Sequence, residues 1–329
     1  MMKTIITLIF SSLFLLSVAQ ESINKTDAQG KKQGKWIKKD AEGKAIYEGV
    51  FKDDKPVGEF KYYYTNGEIQ TLSVFSNNGT ICKSKHYFPG KVLMAEGKYV
   101  NQKRDSVWKF YDGPNILVSE ETYKNGLKNG VEKNYDVKGH LVELKTWKDS
   151  LRDGEYKKYY DNGDVKEEGN YKAGFLEGPV KFYFPGKKPA VTGAYQRSLK
   201  NGRWTYHNPE GITNLMVETY NAGSLDGYYA QWYEKDGTPK VIGEYKQNRK
   251  NNKWMFYDEK GKLTHDSTFT SGYINGKCHE YFENGNKKTE SNFYFSRKVD
   301  VWKEWDENGK IVNEEKFPSV EEVKRKKEK

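Results

Sequence analysis

The residues able to act as metal ligands or nucleophiles are few and scattered. The chain has five histidines and two cysteines among 329 residues. None of the histidines makes a His-x-x-x-His or His-Glu-x-x-His spacing, and a zinc site needs three or four converging ligands. The histidines are His86, His140, His207, His265 and His279, and we expect the closest two, His265 and His279, to be solvated strand residues. The cysteines, Cys82 and Cys278, are too far apart in the repeat array described below to form a disulfide, so free thiols or an intermolecular bond are expected.

Other catalytic and cofactor motifs are also missing from the sequence. There is no Gly-x-x-x-x-Gly-Lys-(Ser/Thr) phosphate loop and no Gly-x-Ser-x-Gly nucleophile elbow. The segment Asp-Asn-Gly-Asp at 161–164 lacks the alternating ligand spacing of a calcium loop and fits a hairpin turn better. The sequence therefore assigns no catalytic, cofactor-binding or metal-binding residue, and it predicts a protein that is not an enzyme and needs no cofactor.

Aromatic residues interleaved with lysine are the one pattern that suggests binding. Tyr, Phe and Trp make up 15% of the chain, and the formal net charge is +10. Rings and basic groups on one sheet can stack bases or sugars. The interpretation we favour is that the rings form the core of a thin sheet. The interleaved lysines are Lys61, Lys109, Lys157, Lys181 and Lys303.

One aromatic position recurs along nearly the whole chain, and internal repeats decide a fold before other signals do. The steps are 24 residues, except for two of 25. We call its members the rung residues: Phe51, Phe75, Tyr99, Tyr123, Trp147, Tyr171, Tyr195, Tyr220, Tyr245, Phe269, Phe293 and Phe317.

A second series lies between the rungs. These anchor residues are Trp36, Phe60, Ser84, Trp108, Val131, Tyr156, Val180, Trp204, Tyr229, Trp254, Cys278 and Trp302. Turn dipeptides such as Asn66-Gly67 and Asn162-Gly163 separate the two series. Six-residue aromatic and β-branched segments, separated by such turns every 10–12 residues, are typical of successive β-hairpins.

The predicted fold class is all-β: an elongated single-sheet array of about twelve 24-residue β-hairpin repeats. Glycine stands two residues before a rung residue at five places, where it would leave room for a ring from the neighbouring strand. These are Gly49, Gly97, Gly169, Gly193 and Gly243. One hairpin is marginal in water, so stacked neighbours must stabilise each repeat.

The two ends differ from the repeats. Residues 1–19 read as a signal peptide, with Lys3, an apolar stretch from Ile5 to Val18 and small residues before Gln20. Residues 20–29 form an N-terminal lead-in, 30–317 the repeat domain, and 318–329 a basic C-terminal tail. In this tail, Ser319 and Glu322 have capping-box spacing for a short helix. The expected location is secreted, periplasmic or in the cell envelope, after cleavage of the signal peptide.

The repeats resemble MORN repeats, and most closely the variant of bacterial YwqK-type antitoxins. The resemblance is carried by Gly-x-(Trp/Tyr)-x-x-Tyr segments followed by an aromatic strand, for example residues 58–67 and 153–172. It covers about residues 30–317. It implies a binding role toward a partner protein, membrane phospholipid or a toxin.

Together these features predict an exported, non-enzymatic repeat protein that acts as a binding or scaffold module for a protein partner in the cell envelope. The alternatives are a toxin-neutralising YwqK-type antitoxin and a protein that binds a phospholipid or membrane surface. A protein is the expected partner, with anionic lipid or polysaccharide as alternatives and no nucleic acid. The oligomeric state stays open, although exposed terminal strands could pair into a dimer.

Overall fold

The computed structural model describes residues 22–210 and 213–326, and the chain divides into two compact units, residues 1–105 and 106–329. The boundary between the units falls within one strand. The signal peptide expected at residues 1–19, the start of the lead-in and the last three residues of the tail lie outside the described residues. Each unit is described by itself below.

The first unit contains seven complete strands. They are β1 (Lys25–Thr26), β2 (Lys32–Lys39), β3 (Ala45–Lys52), β4 (Lys55–Tyr63), β5 (Ile69–Ser76), β6 (Ile81–Phe88) and β7 (Val92–Val100). The next strand, β8 (Lys103–Tyr111), crosses the boundary.

The second unit continues the same pattern and ends in a short helix. Its strands are β9 (Leu117–Lys124), β10 (Leu127–Tyr135), β11 (Leu141–Lys148), β12 (Leu151–Tyr159), β13 (Val165–Lys172), β14 (Phe175–Leu176), β15 (Gly178–Tyr183), β16 (Pro189–Gln196), β17 (Leu199–His207), β18 (Asn214–Asn221), β19 (Ser224–Trp232), β20 (Pro239–Lys246), β21 (Arg249–Tyr257), β22 (Leu263–Thr270), β23 (Tyr273–Tyr281), β24 (Lys287–Tyr294), β25 (Arg297–Trp305) and β26 (Ile311–Lys316). The helix is α1 (Val320–Arg325).

Within each unit, neighbouring strands along the chain pair antiparallel, except that β14 and β15 both pair with β13, so the all-β hairpin fold class is confirmed. In the first unit, Gly58 of β4 lies opposite Phe75 of β5. In the second unit, Gly154 of β12 lies opposite Tyr171 of β13 in the same relation. The 24-residue period is thus two strands and their two turns. Most strands are 8 or 9 residues long rather than the predicted six, because pairing continues into the turn residues.

A β-bulge bends nearly every anchor-bearing strand. The residue two before the anchor has a positive φ, which an L side chain adopts only at a cost, so glycine predominates there. These residues are Gly34, Gly58, Ser106, Gly130, Gly154, Gly178, Gly202, Gly227, Asn252, Gly276 and Asp300. The repeat with Cys82 at this place differs, since β5 and β6 pair without a register shift and the extra residues lie in the turn at Asn77–Gly79.

One anchor residue was predicted wrongly. Strand register places Glu132, not Val131, opposite Lys145 at the site that Tyr156 occupies opposite Gly169 in the next repeat. Glu132 is 5% exposed, whereas Val131 is 40% exposed on the other face. The aromatic spacing pointed to an apolar residue, but here an ion-paired carboxylate takes the buried place.

The capping box predicted at the C-terminus is confirmed. The Ser319 hydroxyl accepts a hydrogen bond from the Glu322 backbone N–H at 3.2 Å, and the Ser319 N–H donates to the Glu322 carboxylate at 2.7 Å. Helix α1 packs against β25 and buries Val323.

Candidate binding surfaces and polar clusters

Rung and anchor rings alternate along one face of the sheet in each unit, and we call this the ring face. Trp302 lies 5.0 Å, centroid to centroid, from both Phe293 and Phe317. Phe60 lies 5.2 Å from Phe51 and 5.1 Å from Phe75 in edge-to-face contacts. Edge-to-face pairs at such distances stabilise by about 0.5–1.5 kcal/mol beyond the area that they bury. The rings are core, because Phe60, Trp204 and Trp254 are each 2% exposed.

Glycine seats several of these rings, as the sequence predicts. A Cβ built on Gly193 would lie 2.3 Å from the Trp204 ring, and one on Gly49 would lie 2.4 Å from Phe60. The same relation joins Gly243 to Trp254 and Gly169 to Tyr156. The ring therefore lies flat on bare backbone of the neighbouring strand, and two tryptophans add a hydrogen bond there: Trp204 Nε1 donates to the Ala194 carbonyl and Trp254 Nε1 to the Glu244 carbonyl.

Basic side chains cover many of the rings, a feature that the sequence patterns above did not predict. The ammonium of Lys250 lies 4.3 Å from the Trp254 centroid, and that of Lys298 lies 4.3 Å from Trp302. The signal is a basic residue four positions before the anchor, shared by Lys32, Lys128, Arg152, Lys200, Lys250 and Lys298. Burial lowers the pKa of Lys250. Through these cation–π contacts, basic side chains cover the rings of the ring face.

The lysines singled out from the sequence lie on the opposite face, which we call the charged face. Lys61, Lys109, Lys157 and Lys303 reach carboxylates of neighbouring strands at 3.4–3.8 Å. Lys181 stands opposite Glu168 on β13. Rings and these lysines therefore do not form one mixed surface, because successive residues of a strand point to opposite faces.

Tyrosine–carboxylate pairs recur on the charged face at a spacing of 15 residues. Tyr63 donates to Glu48 at 2.7 Å, and burial followed by this hydrogen bond raises the pKa of Tyr63 to about 12. The other pairs are Tyr135 with Glu120, Tyr183 with Glu168 and Tyr281 with Asp266.

The last of these pairs belongs to a cluster on β22, β23 and β24. His279 Nδ1 lies 2.9 Å from Asp266 Oδ1, and His279 Nε2 lies 3.2 Å from Glu290 Oε2. Asp266 is 1% exposed. Burial alone would raise the pKa of Asp266, but hydrogen bonds from His279, Tyr281 and Lys253 outweigh it and hold the pKa below its ordinary value.

Glu290 is the more exposed of the two carboxylates that contact His279. A hydrogen bond from Lys287 is the main cause that lowers the pKa of Glu290 to about 2, against the opposing effect of burial, and Lys277 adds to it. Every carboxylate of the cluster is thus engaged by a cation or a hydrogen-bond donor, which is the arrangement of a structural network rather than of a poised acid or base.

A second network surrounds Glu132, which takes the buried anchor position that was predicted for Val131. Its carboxylate is 2.6 Å from Lys128 Nζ and 3.3 Å from Lys145 Nζ. Burial alone would raise the pKa of Glu132. The interactions with Lys128 and Lys145 outweigh this effect, so the pKa lies below its ordinary value. An ion-paired group therefore fills the space that an anchor ring takes elsewhere.

Histidines outside this cluster contact other partners, and the two thiols form no disulfide with each other. His140 lies 3.0 Å from Asp136, His207 contacts Thr192, and the His265 ring stacks on Phe256 with centroids 4.2 Å apart. Both cysteines are free thiols. Within residues 22–210 and 213–326, no group of three or more His, Cys, Asp or Glu side chains could hold a metal ion.

Exposed apolar side chains form a row in the second unit. Leu127, Leu151, Phe175 and Leu199 occupy the same place at the start of successive hairpins and are 46%, 54%, 54% and 49% exposed. Two inter-strand spacings separate each from the next, a distance of about 10 Å. We call these four residues the apolar row.

Lysines stand next to the apolar row. Lys124, Lys148 and Lys172 are the cross-strand partners of Leu127, Leu151 and Phe175, and all three are exposed. The row is therefore apolar with a positive border. No helix in the described part of the chain is long and apolar enough to cross a membrane.

This architecture defines a class, the repeat proteins built from consecutive β-hairpins. Three segments of the chain, residues 56–80, 152–173 and 301–317, match the family model of the MORN repeat variant, which supports a MORN-repeat protein. MORN repeats are generally modules that bind proteins or membranes. None of the curated proteins matches the chain significantly.

Solved structures are similar only at low level. A crystal structure of TcdB2-TccC3-TEV is 9% identical over 87% of this chain, with a TM-score of 0.18. The structure of the Photorhabdus luminescens Tc holotoxin pore is 10% identical over 88% of this chain, with a TM-score of 0.15. The chain spans about 16% of the length of each of these proteins.

Proposed function

We propose that this chain is a non-enzymatic repeat protein that binds a protein partner through the apolar row, and that it does so in the cell envelope after export. The apolar row is the observation that carries the proposal. Exposed side chains of this size are ordinarily scattered singly on a surface, whereas these four recur at one place of successive hairpins, and grouped exposed apolar residues are typical of an interaction site.

The order of the row supports a protein partner of defined shape. The four apolar side chains repeat every 24 residues, so their separation of about 10 Å is set by the hydrogen-bonded sheet beneath them. A rigid row loses little conformational entropy on binding. The bordering lysines, Lys124, Lys148 and Lys172, favour a partner surface that is apolar with acidic flanks.

The test is capture from host envelope and culture fractions with residues 20–329, compared between wild type and the variant Leu127→Ser/Leu151→Ser/Phe175→Ser/Leu199→Ser. We expect one protein to be retained by the wild type at high salt, and its retention to fall at least tenfold in the variant. The matched control replaces exposed apolar residues outside the row, Val137, Val301, Ile311 and Val312, by serine.

Equal loss in the control variant, or undiminished retention by the row variant, would contradict the proposed surface. If the captured partner is a toxin, rescue of growth on co-expression of the two genes would identify the toxin-neutralising role.

Export rests on the sequence at residues 1–19 and has its own test. N-terminal sequencing of the protein from envelope and culture fractions is expected to find a mature chain that starts at Gln20 or Glu21. An intact Met1 on all of the recovered protein would contradict cleavage.

A second candidate function is binding to an anionic phospholipid surface, which the lysines beside the apolar row favour. Such binding is expected to weaken with salt, since lysine near a charged surface acts through screened electrostatics. Retention of the chain on anionic vesicles at low salt only, with no protein captured at high salt, would favour this candidate over the first.

A further inference from the structure

Two cavities of the ring face coincide with its two smallest anchor residues. At Ser84 the structure has an open cavity of about 340 Å³, and at Cys278 one of about 470 Å³. At the non-aromatic anchor Glu132, by contrast, Lys128 and Lys145 reach into the space. The cavities at Ser84 and Cys278 therefore lie where a ring of the series is missing.

The walls of the Ser84 cavity are the two rings between which an anchor ring would stand. Phe75 and Tyr99 are consecutive rung residues, and both line the cavity together with Tyr62. Where an aromatic anchor is present, its ring lies between the rung rings on both sides, as Trp302 does at 5.0 Å from each. A ring placed in the cavity would thus find aromatic partners on two sides.

The floor of the cavity has room for such a ring. Ser73 stands in register where other repeats have glycine, and Phe60 is its partner on the preceding strand, with the Phe60 ring resting on Gly49. Ser291 stands beside Trp302 in the equivalent place of β24 and β25. A serine at this position is therefore compatible with a ring against it.

The floor is also polar. Ser73 Oγ and Ser84 Oγ are 2.8 Å apart, Cys82 Sγ is 3.1 Å from Ser84 Oγ, and Thr71 Oγ1 is 3.0 Å from His86 Nδ1. Ser73 and Ser84 are 3% and 4% exposed. Hydroxyl groups can rotate to donate or accept, so the floor can pair with an N–H or an O–H of a ligand.

We propose that the Ser84 cavity binds an aromatic ring that carries a hydrogen-bonding N–H or O–H group, an indole or a phenol, in the place of the missing anchor ring. The ring can come from a free small molecule or from a Trp or Tyr side chain of another protein, and the chemistry of recognition is the same. Its volume is within the range of ligand sites. The site is separate from the apolar row, so it does not depend on the proposed function.

The cavity at Cys278 differs and is not assigned the same ligand. Glu280, Glu304 and Glu315 border it in addition to Phe293 and Trp302. An incoming neutral ring would there meet carboxylates in addition to the hydroxyl groups of Ser267, Thr289 and Ser291. This difference gives the experiment an internal control.

In the test, indole, p-cresol and cyclohexanol are each titrated into the chain of residues 20–329, and binding is measured by calorimetry. We expect saturable binding of indole and p-cresol with one site per chain, and at least tenfold weaker binding of cyclohexanol, which has the hydroxyl group but no aromatic ring. In Ser84→Phe, which supplies the missing ring, indole binding is expected to fall at least tenfold while the Tm rises.

Two further variants keep the outcome clear. Ser84→Val fills less of the cavity and is expected to weaken indole binding by an intermediate factor, so the result does not depend on the folding of Ser84→Phe. Cys278→Phe is expected to leave indole binding unchanged. Loss of binding in Cys278→Phe but not in the Ser84 variants, or no saturable binding of any aromatic probe, would overturn the proposal.

A capped Gly-Trp-Gly peptide distinguishes the two sources of the ring. Binding of the peptide as tight as that of indole, and lost in Ser84→Phe, would assign a protein side chain as the ligand. Binding of indole at least tenfold tighter than the peptide would assign a free small molecule.

Discussion

At the scale of single residues, the thin core depends on where a side chain is absent. Trp204 lies flat on Gly193, with Tyr195 and Tyr220 beside it at 5.1 and 6.4 Å and Lys200 over its ring. No second layer of secondary structure is needed to bury this tryptophan, because ring, glycine and lysine stem do so within one sheet.

The first prediction concerns the contact between Gly193 and the Trp204 ring. Gly193→Ala would place a Cβ 2.3 Å from the Trp204 ring, and the ring is held by its hydrogen bond to the Ala194 carbonyl. We expect the substitution to destabilise the second unit by about 1–3 kcal/mol, as overpacking of a core does. The measurement is the denaturation midpoint followed by tryptophan fluorescence.

Gly169→Ala serves as the milder comparison, since its Cβ would meet only the edge of the Tyr156 ring at 2.9 Å. In a double-mutant cycle, Trp204→Ala should remove most of the cost of Gly193→Ala. Additive effects of the two substitutions would show that the cost arises elsewhere.

At the scale of the element, the repeated unit is a hairpin with a left-handed turn and a bulge. The turn before β10 has Asn125 and Gly126 at φ 52° and 87°, and the turn before β14 has Ala173 and Gly174 at 48° and 90°. Asparagine tolerates the left-handed region better than alanine does. The second of these turns is therefore built with a less suitable residue.

The second prediction is that Ala173→Asn stabilises the chain, by about 0.5–1 kcal/mol, because it relieves the left-handed alanine. The reverse change in the matched turn, Asn125→Ala, should destabilise by a similar amount. Thermal unfolding of both variants checks this. A shift of the same sign in both would be inconsistent with the turn argument.

Sequence patterns predicted the elements better than the polar contacts. The rung series, the glycine seats and the capping box at Ser319 are local or strictly periodic, so the sequence reveals them. The anchor at Val131 was wrong because aromatic spacing cannot anticipate a buried carboxylate held by Lys128 and Lys145. The cations over the rings were missed because lysine on a strand ordinarily indicates a solvated side chain.

At the scale of the whole molecule, stability depends on carboxylates spread over both units. The pKa of Glu48 in the first unit, and those of Glu132, Asp266 and Glu290 in the second, are lowered. A lowered pKa in the folded state means that the stabilisation is present above the pKa of the unfolded chain. It is lost as the pH falls through the folded-state pKa.

The third prediction concerns this loss of stability at low pH. For Glu290, whose pKa falls from 4.5 to about 2, the stabilisation is expected to be lost between these two pH values, and at neutral pH it amounts to about 3 kcal/mol. Glu290→Gln should lower stability at pH 7 and flatten the stability profile below pH 4.5. Unfolding midpoints measured from pH 2 to pH 7 test this, with Glu59→Gln on the exposed surface as the control.

The strand order of the second unit also has a mechanical consequence. From β8 to β26 the strands pair in chain order, except that β14 and β15 both pair with β13, and within the described residues no pairing joins distant parts of this unit. A pulling force on its two ends therefore acts on one ladder at a time and opens its few hydrogen bonds in sequence. Such a unit yields by unzipping strand after strand, and each opened hairpin adds 24 or 25 residues of slack while the remaining repeats stay folded.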